Sequence, residues 1–280
     1  MHASNSLSLR NRIAILFGLL LFGLAGLLFV DPIPQDPDYH LFADTRGFFG
    51  VPNFNDVISN LGFALSGTLG FIAVAAMNRR LLFIHPGDAR PYLVFFVAVV
   101  LVSVGSAYYH WAPSNERLLW DRLPMSIAFM AFASAVVADR IHARIGNSWL
   151  LSILTALGLF SLLYWHLTEQ MGQGDLRFYA FVQFYPIIAM PLLIWLFPDY
   201  RYIPGRSIAW VFGWYALSKL FEHFDAQIFE LLGHSVSGHT LKHLAAAVGA
   251  FVVLQLLSSK LFPNWRIRVG RGGSRSKPMK

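Results

Sequence analysis

The sequence predicts an all-α, polytopic membrane protein, and three observations carry that reading. Hydrophobic side chains make up 56% of its 280 residues and charged ones only 13%, where a soluble domain carries roughly a quarter. Eight apolar runs, each roughly 17 to 25 residues long, could cross a hydrocarbon core as helices. The connections between them are short, with no soluble domain, long linker, repeat or low-complexity tract.

The first run, Ile13–Val30, follows Arg10 and Arg12, a pattern shared with signal peptides. Because Leu28-Phe29-Val30-Asp31 lacks a small-residue cleavage pattern, a retained helix is expected. The others are expected near Phe54–Met77, Tyr92–His110, Leu119–Ala138, Trp149–His166, Phe178–Phe197, Ile208–Phe224 and His239–Leu261. Lys and Arg in the connections set the orientation. With the N-terminus in the cytoplasm, Arg79, Arg80, Arg90, Arg140, Arg144, Arg201 and Arg206 face inward, and the outer face keeps Arg46, Arg117, Arg122 and Arg177. Eight spans then return the C-terminus to the cytoplasm, as in a plasma or bacterial inner membrane.

The net charge of +7 is matched by Lys260, Arg266, Arg268, Arg271, Arg275, Lys277 and Lys280 in an acid-free tail. Such a tail suits a cytoplasmic segment beside anionic headgroups. Only Trp265 is interleaved with these cations, which argues against nucleic-acid binding. Cysteine is absent, so a metal would need His, Asp, Glu or backbone oxygen.

Ionisable groups inside a bilayer are costly and therefore functional suspects. His110 ends the third run, Asp121 opens the fourth, Asp225 ends the seventh, and His239 and His243 open the eighth, so all five share one depth near the outer end. The i, i+4 spacing of His239 and His243 puts both imidazoles on one helix face, where they can grip one ion. With His110 added, three neutral nitrogens leave a fourth tetrahedral position for water, as in catalytic Zn2+ sites. Thr240 and Lys242 stand where soluble zinc hydrolases place a glutamate base, so the base must come from another helix, and Asp121 is the candidate. Ser106 lies one turn before His110. Its hydroxyl could donate to an oxyanion, position water, or bond back to the Val102 carbonyl.

Ser106-x-x-x-His110, then Trp120-Asp121-Arg122-Leu123-Pro124-Met125, then His239-x-x-x-His243 resembles the alkaline ceramidase family and the wider seven-helix membrane hydrolases that include the adiponectin and progestin receptors. Asn53-Phe54-Asn55-Asp56-Val57-Ile58-Ser59-Asn60 resembles the start of the first family helix, and the likeness covers roughly Asp44 to Leu261. The resemblance implies a seven-helix bundle over 44–261, preceded by an extra helix and outer loop (1–43) and followed by the basic tail (262–280). It implies zinc on His110, His239 and His243, Asp121 as base and then proton donor, and Ser106 at the oxyanion. The implied reaction is hydrolysis of ceramide or phytoceramide to a sphingoid base and a fatty acid. The family's acidic, tryptophan-containing calcium loop is shortened here. Asp44, Asn53 and Asp56 remain as oxygen donors for Ca2+, with a capping role for Asn53 and Asp56 the competing expectation.

Asp225 is expected to accept from the outer N–H of a zinc histidine, and Lys219 and Glu222 to neutralise each other at i, i+3. Asn55, Ser59 and Asn60 form a polar stripe suited to interhelical hydrogen bonds, while His166 and His223 read as headgroup-level residues. Two further readings stand beside the hydrolase. One is a receptor-like member that keeps zinc for structure, and the other is a haem protein with axial histidines.

Overall fold

The structure is a computed structural model that describes residues 7–261. The basic tail therefore lies outside the described residues. Ten α-helices form, and the one β-feature among the described residues is a single bridge between Phe48 and Val51. They are α1 (Leu9–Gly26), α2 (Phe54–Ile58), α3 (Leu61–Arg79), α4 (Arg90–Trp111), α5 (Asn115–Arg140), α6 (Leu150–Gln170), α7 (Arg177–Leu196), α8 (Gly205–His223), α9 (Asp225–Leu231) and α10 (Gly238–Leu261).

Seven helical segments are long and apolar enough to cross a membrane. All eight expected runs fold as helices, but α8 is not among those seven. It carries Arg206, Lys219 and Glu222, too much charge for unaided insertion. The second expected run also divides, into α2 and α3. Ser59 Oγ and Asn60 Nδ2 donate to the Asp56 carbonyl at 3.1 and 2.7 Å, and such local bonds compete with the helical ladder. The first helix begins earlier than expected because Ser8 caps it, accepting from the Asn11 N–H at 3.3 Å.

The core lies where α3, α4, α5 and α10 meet, around Phe96, Val74, Met77, Val253 and Leu257. In contrast, α1 has no buried residue and leans on α7. Phe181 of α7 lies against Gly23, where even a Cβ would come within 2.7 Å of the ring. α8 packs on α10 but stands apart from α7. A hydrogen bond from Gln183 Nε2 to Tyr215 Oη, 3.2 Å long, bridges those two helices.

Two close approaches build the end of the bundle that holds the three histidines. Pro124 inside α5 cannot donate to the Trp120 carbonyl one turn back. That carbonyl turns toward α4 at Gly105, where a Cβ would stand only 2.1 Å from the oxygen. Glycine thus lets α4 and α5 close up beside Ser106 and Asp121. Gly238 does the same for α10, since a Cβ there would meet the Phe221 carbonyl oxygen at 2.2 Å and Asp225 Cα at 2.7 Å.

Candidate metal centre

His110 comes from the last turn of α4, and His239 and His243 from the first two turns of α10. Their side chains converge, with one potential ligand atom from each lying within 4.8 Å of the others. All three are buried, at 1%, 4% and 3% exposure. Ring centroids are 4.8 to 4.9 Å apart. Among the described residues this is the one cluster of metal-ligating side chains able to hold an ion. Burial of three imidazoles against one another is unfavourable unless something occupies the space between them. His110 Nδ1 in fact has no hydrogen-bond partner. The donor set therefore fits a metal ion.

The supporting contacts come from distant parts of the chain. Ser59 Oγ lies 2.8 Å from His243 Nδ1, which fixes that ring and leaves Nε2 for an ion. Phe42 packs its ring over His110 and His239 at 4.7 and 4.6 Å. The start of α10 is held by acceptors at its free N–H groups, an arrangement the helix dipole favours. Ser237 Oγ accepts from Thr240 N at 3.0 Å, and Asp56 Oδ1 accepts from Thr240 Oγ1 at 2.6 Å.

Asp225 differs from its expected place and role. It opens the separate helix α9 instead of ending α8, and it accepts from the backbone N–H of His239 at 2.7 Å. Its second oxygen accepts from the Ala43 N–H at 3.0 Å, pinning the segment that carries Phe42. It thus positions the triad through the backbone, because the tight turn at Gly238 brings the carboxylate under the helix start and not under the ring.

The three candidate calcium donors each have a protein partner. Both Asp44 oxygens pair with Arg46, each at 2.7 Å, and Oδ2 also accepts from Asn55 at 2.9 Å. Burial works to raise the Asp44 carboxyl, but these bonds outweigh it and hold the group below the usual carboxylate range. Asn53 sits at the cap position of α2 with a left-handed backbone (φ 45°) and makes no side-chain cap. It donates instead to the His110 carbonyl at 2.8 Å. Asp56 serves the start of α10 and not its own helix, and its Oδ2 is buried without a partner.

Ser106 of α4 and Asp121 of α5 are both buried. Ser106, Asp121 and His243 share the wall of one cavity of about 150 Å³. The rest of that wall is mainly apolar, including Phe95, Val99, Phe129, Phe132 and Met190. Lys219 and Glu222 pair at 2.6 Å as expected, but Lys242 joins them at 2.5 Å to make a Lys–Glu–Lys group. Arg122, beside Asp121, is enclosed by the rings of Tyr39, Trp165 and Tyr179 at 4.8 to 5.1 Å.

His166 contacts Gln170 and His223 contacts Phe224, and neither joins the triad. Sequence reasoning gave Lys242, Phe42 and Arg122 no role at the site. Only the i, i+3 spacing of Lys242 from His239 offered a signal. Compared with known proteins, the chain matches no family model and no curated protein.

Proposed function

We propose that this chain is a zinc-dependent intramembrane hydrolase of lipid amides, cleaving ceramide or phytoceramide to a sphingoid base and a fatty acid. The observation that carries the reading is a single cavity lined by Ser106, Asp121 and a triad histidine together with mainly apolar side chains. An acyl chain needs the apolar wall, and amide hydrolysis needs the polar groups.

His110, His239 and His243 would hold the zinc. When bound, it supplies a Lewis acid that lowers the pKa of water toward about 7. Asp121 would accept a proton from water and return it to the departing amine. The Ser106 hydroxyl, on the same cavity wall as Asp121, would donate to the developing oxyanion. The space between α7 and α8 suits sideways access of a lipid from the membrane. Gln183 donates to Tyr215 across that space.

The test is purification in detergent, metal analysis and release of fatty acid from a labelled ceramide panel. One zinc per chain is expected, with turnover that Asp121→Ala lowers by a factor of about 10²–10⁴ while zinc and helicity are kept. Zinc without turnover of any lipid amide would instead match the receptor-like reading, and a Soret band would match haem.

A further inference from the structure

Ceramide chemistry leaves two half-buried cations without a task. Lys219 of α8 and Lys242 of α10 lie inside the bundle, where an ammonium group is costly and marks function by default. Both pair with Glu222, but Glu222 stands behind them while the two lysines line the cavity beside Asp121 and His243. A third of the Lys219 side-chain surface remains open (33%). An ammonium has three N–H donors, and Glu222 takes one from each lysine. Donors therefore remain for whatever occupies the cavity. Asp121, the other charged group on that wall, is offset first by Lys242 and then by the neighbouring Arg122, which leaves Lys219 as the more open cation.

The position of this charge is informative. Lys242 Nζ lies 3.4 Å from His239 Nε2, so the cation sits next to the triad. In an N-acyl amino acid, bonds of about 1.33, 1.46 and 1.52 Å join the amide carbonyl carbon to the carboxylate carbon, which holds them within about 4 Å of each other. A carbonyl at the triad would thus bring its carboxylate to the lysines. The hydroxyls of a sphingoid head are neutral and require no such pair.

Building on the hydrolase reading, we propose that the preferred amide at this site is that of an N-acyl amino acid lipid, its carboxylate held by Lys219 and Lys242 while its acyl chain enters along the apolar part of the cavity. The C–N bond breaks and a C–O bond to water oxygen forms. The nitrogen keeps its own hydrogen and receives both water protons by way of Asp121, giving a fatty carboxylate and an amino acid with its amine as the ammonium.

The first measurement needs neither metal nor turnover. In detergent with a chelator present, N-oleoylglycine should displace a fluorescent fatty amide about 10-fold more effectively than N-oleoylethanolamine, its neutral counterpart. Lys219→Met, which leaves Glu222 balanced by Lys242, should bring the two ligands together, and Lys219→Arg should keep them apart. Equal affinity of the unaltered protein for both ligands would overturn the proposal, even if Lys219→Met fails to fold. So would a preference that persists in folded Lys219→Met.

With zinc restored, N-oleoylglycine should exceed both the ethanolamide and oleoyl ceramide by about 10-fold in kcat/KM. Cleavage of ceramide with no preference for the acid would sink this inference and leave the hydrolase standing. Preferential binding of N-oleoylglycine without cleavage of any amide would sink the hydrolase reading, and the substrate assignment with it.

Discussion

At the end of the bundle away from the triad, buried charge is spent on backbone. Asp139 accepts from the N–H groups of Arg201, Tyr202 and Ile203 at 3.0, 2.7 and 3.4 Å. Arg140 donates to the carbonyls of Phe197, Pro198 and Ile203 at 3.0, 3.3 and 2.8 Å. Asp88 takes the Tyr202 hydroxyl and the Asn147 amide. Arg140 Nε and Asn147 Oδ1 are left over there, each on a side chain otherwise engaged. At the triad end the pattern reverses. His110 Nδ1 is buried and unpaired, and three imidazoles face one another near a cavity. Ionisable groups that give their donors and acceptors to the chain hold the backbone in place, whereas a ring nitrogen left unpaired in a histidine cluster suits a bound ion.

Substitutions at the two ends should therefore fail in different ways. The largest expected effect is at the triad, where His110→Ala should abolish stoichiometric metal binding, measured by metal analysis, with helicity by circular dichroism retained. Full metal content in that variant would erase the distinction between the ends. Ser59→Ala removes the partner of His243 Nδ1 and should weaken metal affinity by about 10–100-fold in a chelator competition. At the opposite end, Asp139→Ala strands backbone N–H groups and should cost about 3 kcal/mol of stability with metal stoichiometry unchanged. Chemical denaturation in detergent, paired with metal analysis, reads both quantities.

Gly105→Ala sits between these cases. The added methyl collides with the Trp120 carbonyl, so about 1–3 kcal/mol of stability should be lost. Because the collision pushes α4 from α5 beside Ser106, turnover should fall further than stability alone explains. Equal losses in both would mean that the close approach serves packing only.

The smallest effect is expected at Asp175, between α6 and α7. The Arg177 side-chain hydrogen bonds lower its carboxyl to about 2 against the opposing effect of burial. A depressed folded-state value stabilises above the unfolded pKa, about 3.9. That contribution fades as pH falls toward about 2. The stability gap between the unaltered chain and Asp175→Asn should accordingly be constant above pH 5 and narrow on acidification, with no change at the metal centre. A gap that widens toward low pH would refute the assignment.

By itself the sequence determined the solvent, the helices and the histidine pair. Apolar run length is a local property that a bilayer converts into spans, and the i, i+4 spacing of His239 and His243 is a local property of one helix. Its eight runs appear as helices, with α8 set apart by its charge. Tertiary structure alone decided what meets across the chain. Phe42 over the rings, Ser59 on His243, and Asp225 under the His239 backbone unite segments more than one helix apart or joined by a tight turn. Their convergence depends on which helix faces pack and how closely Gly105 and Gly238 let them come, and no periodicity within a single run encodes that distance.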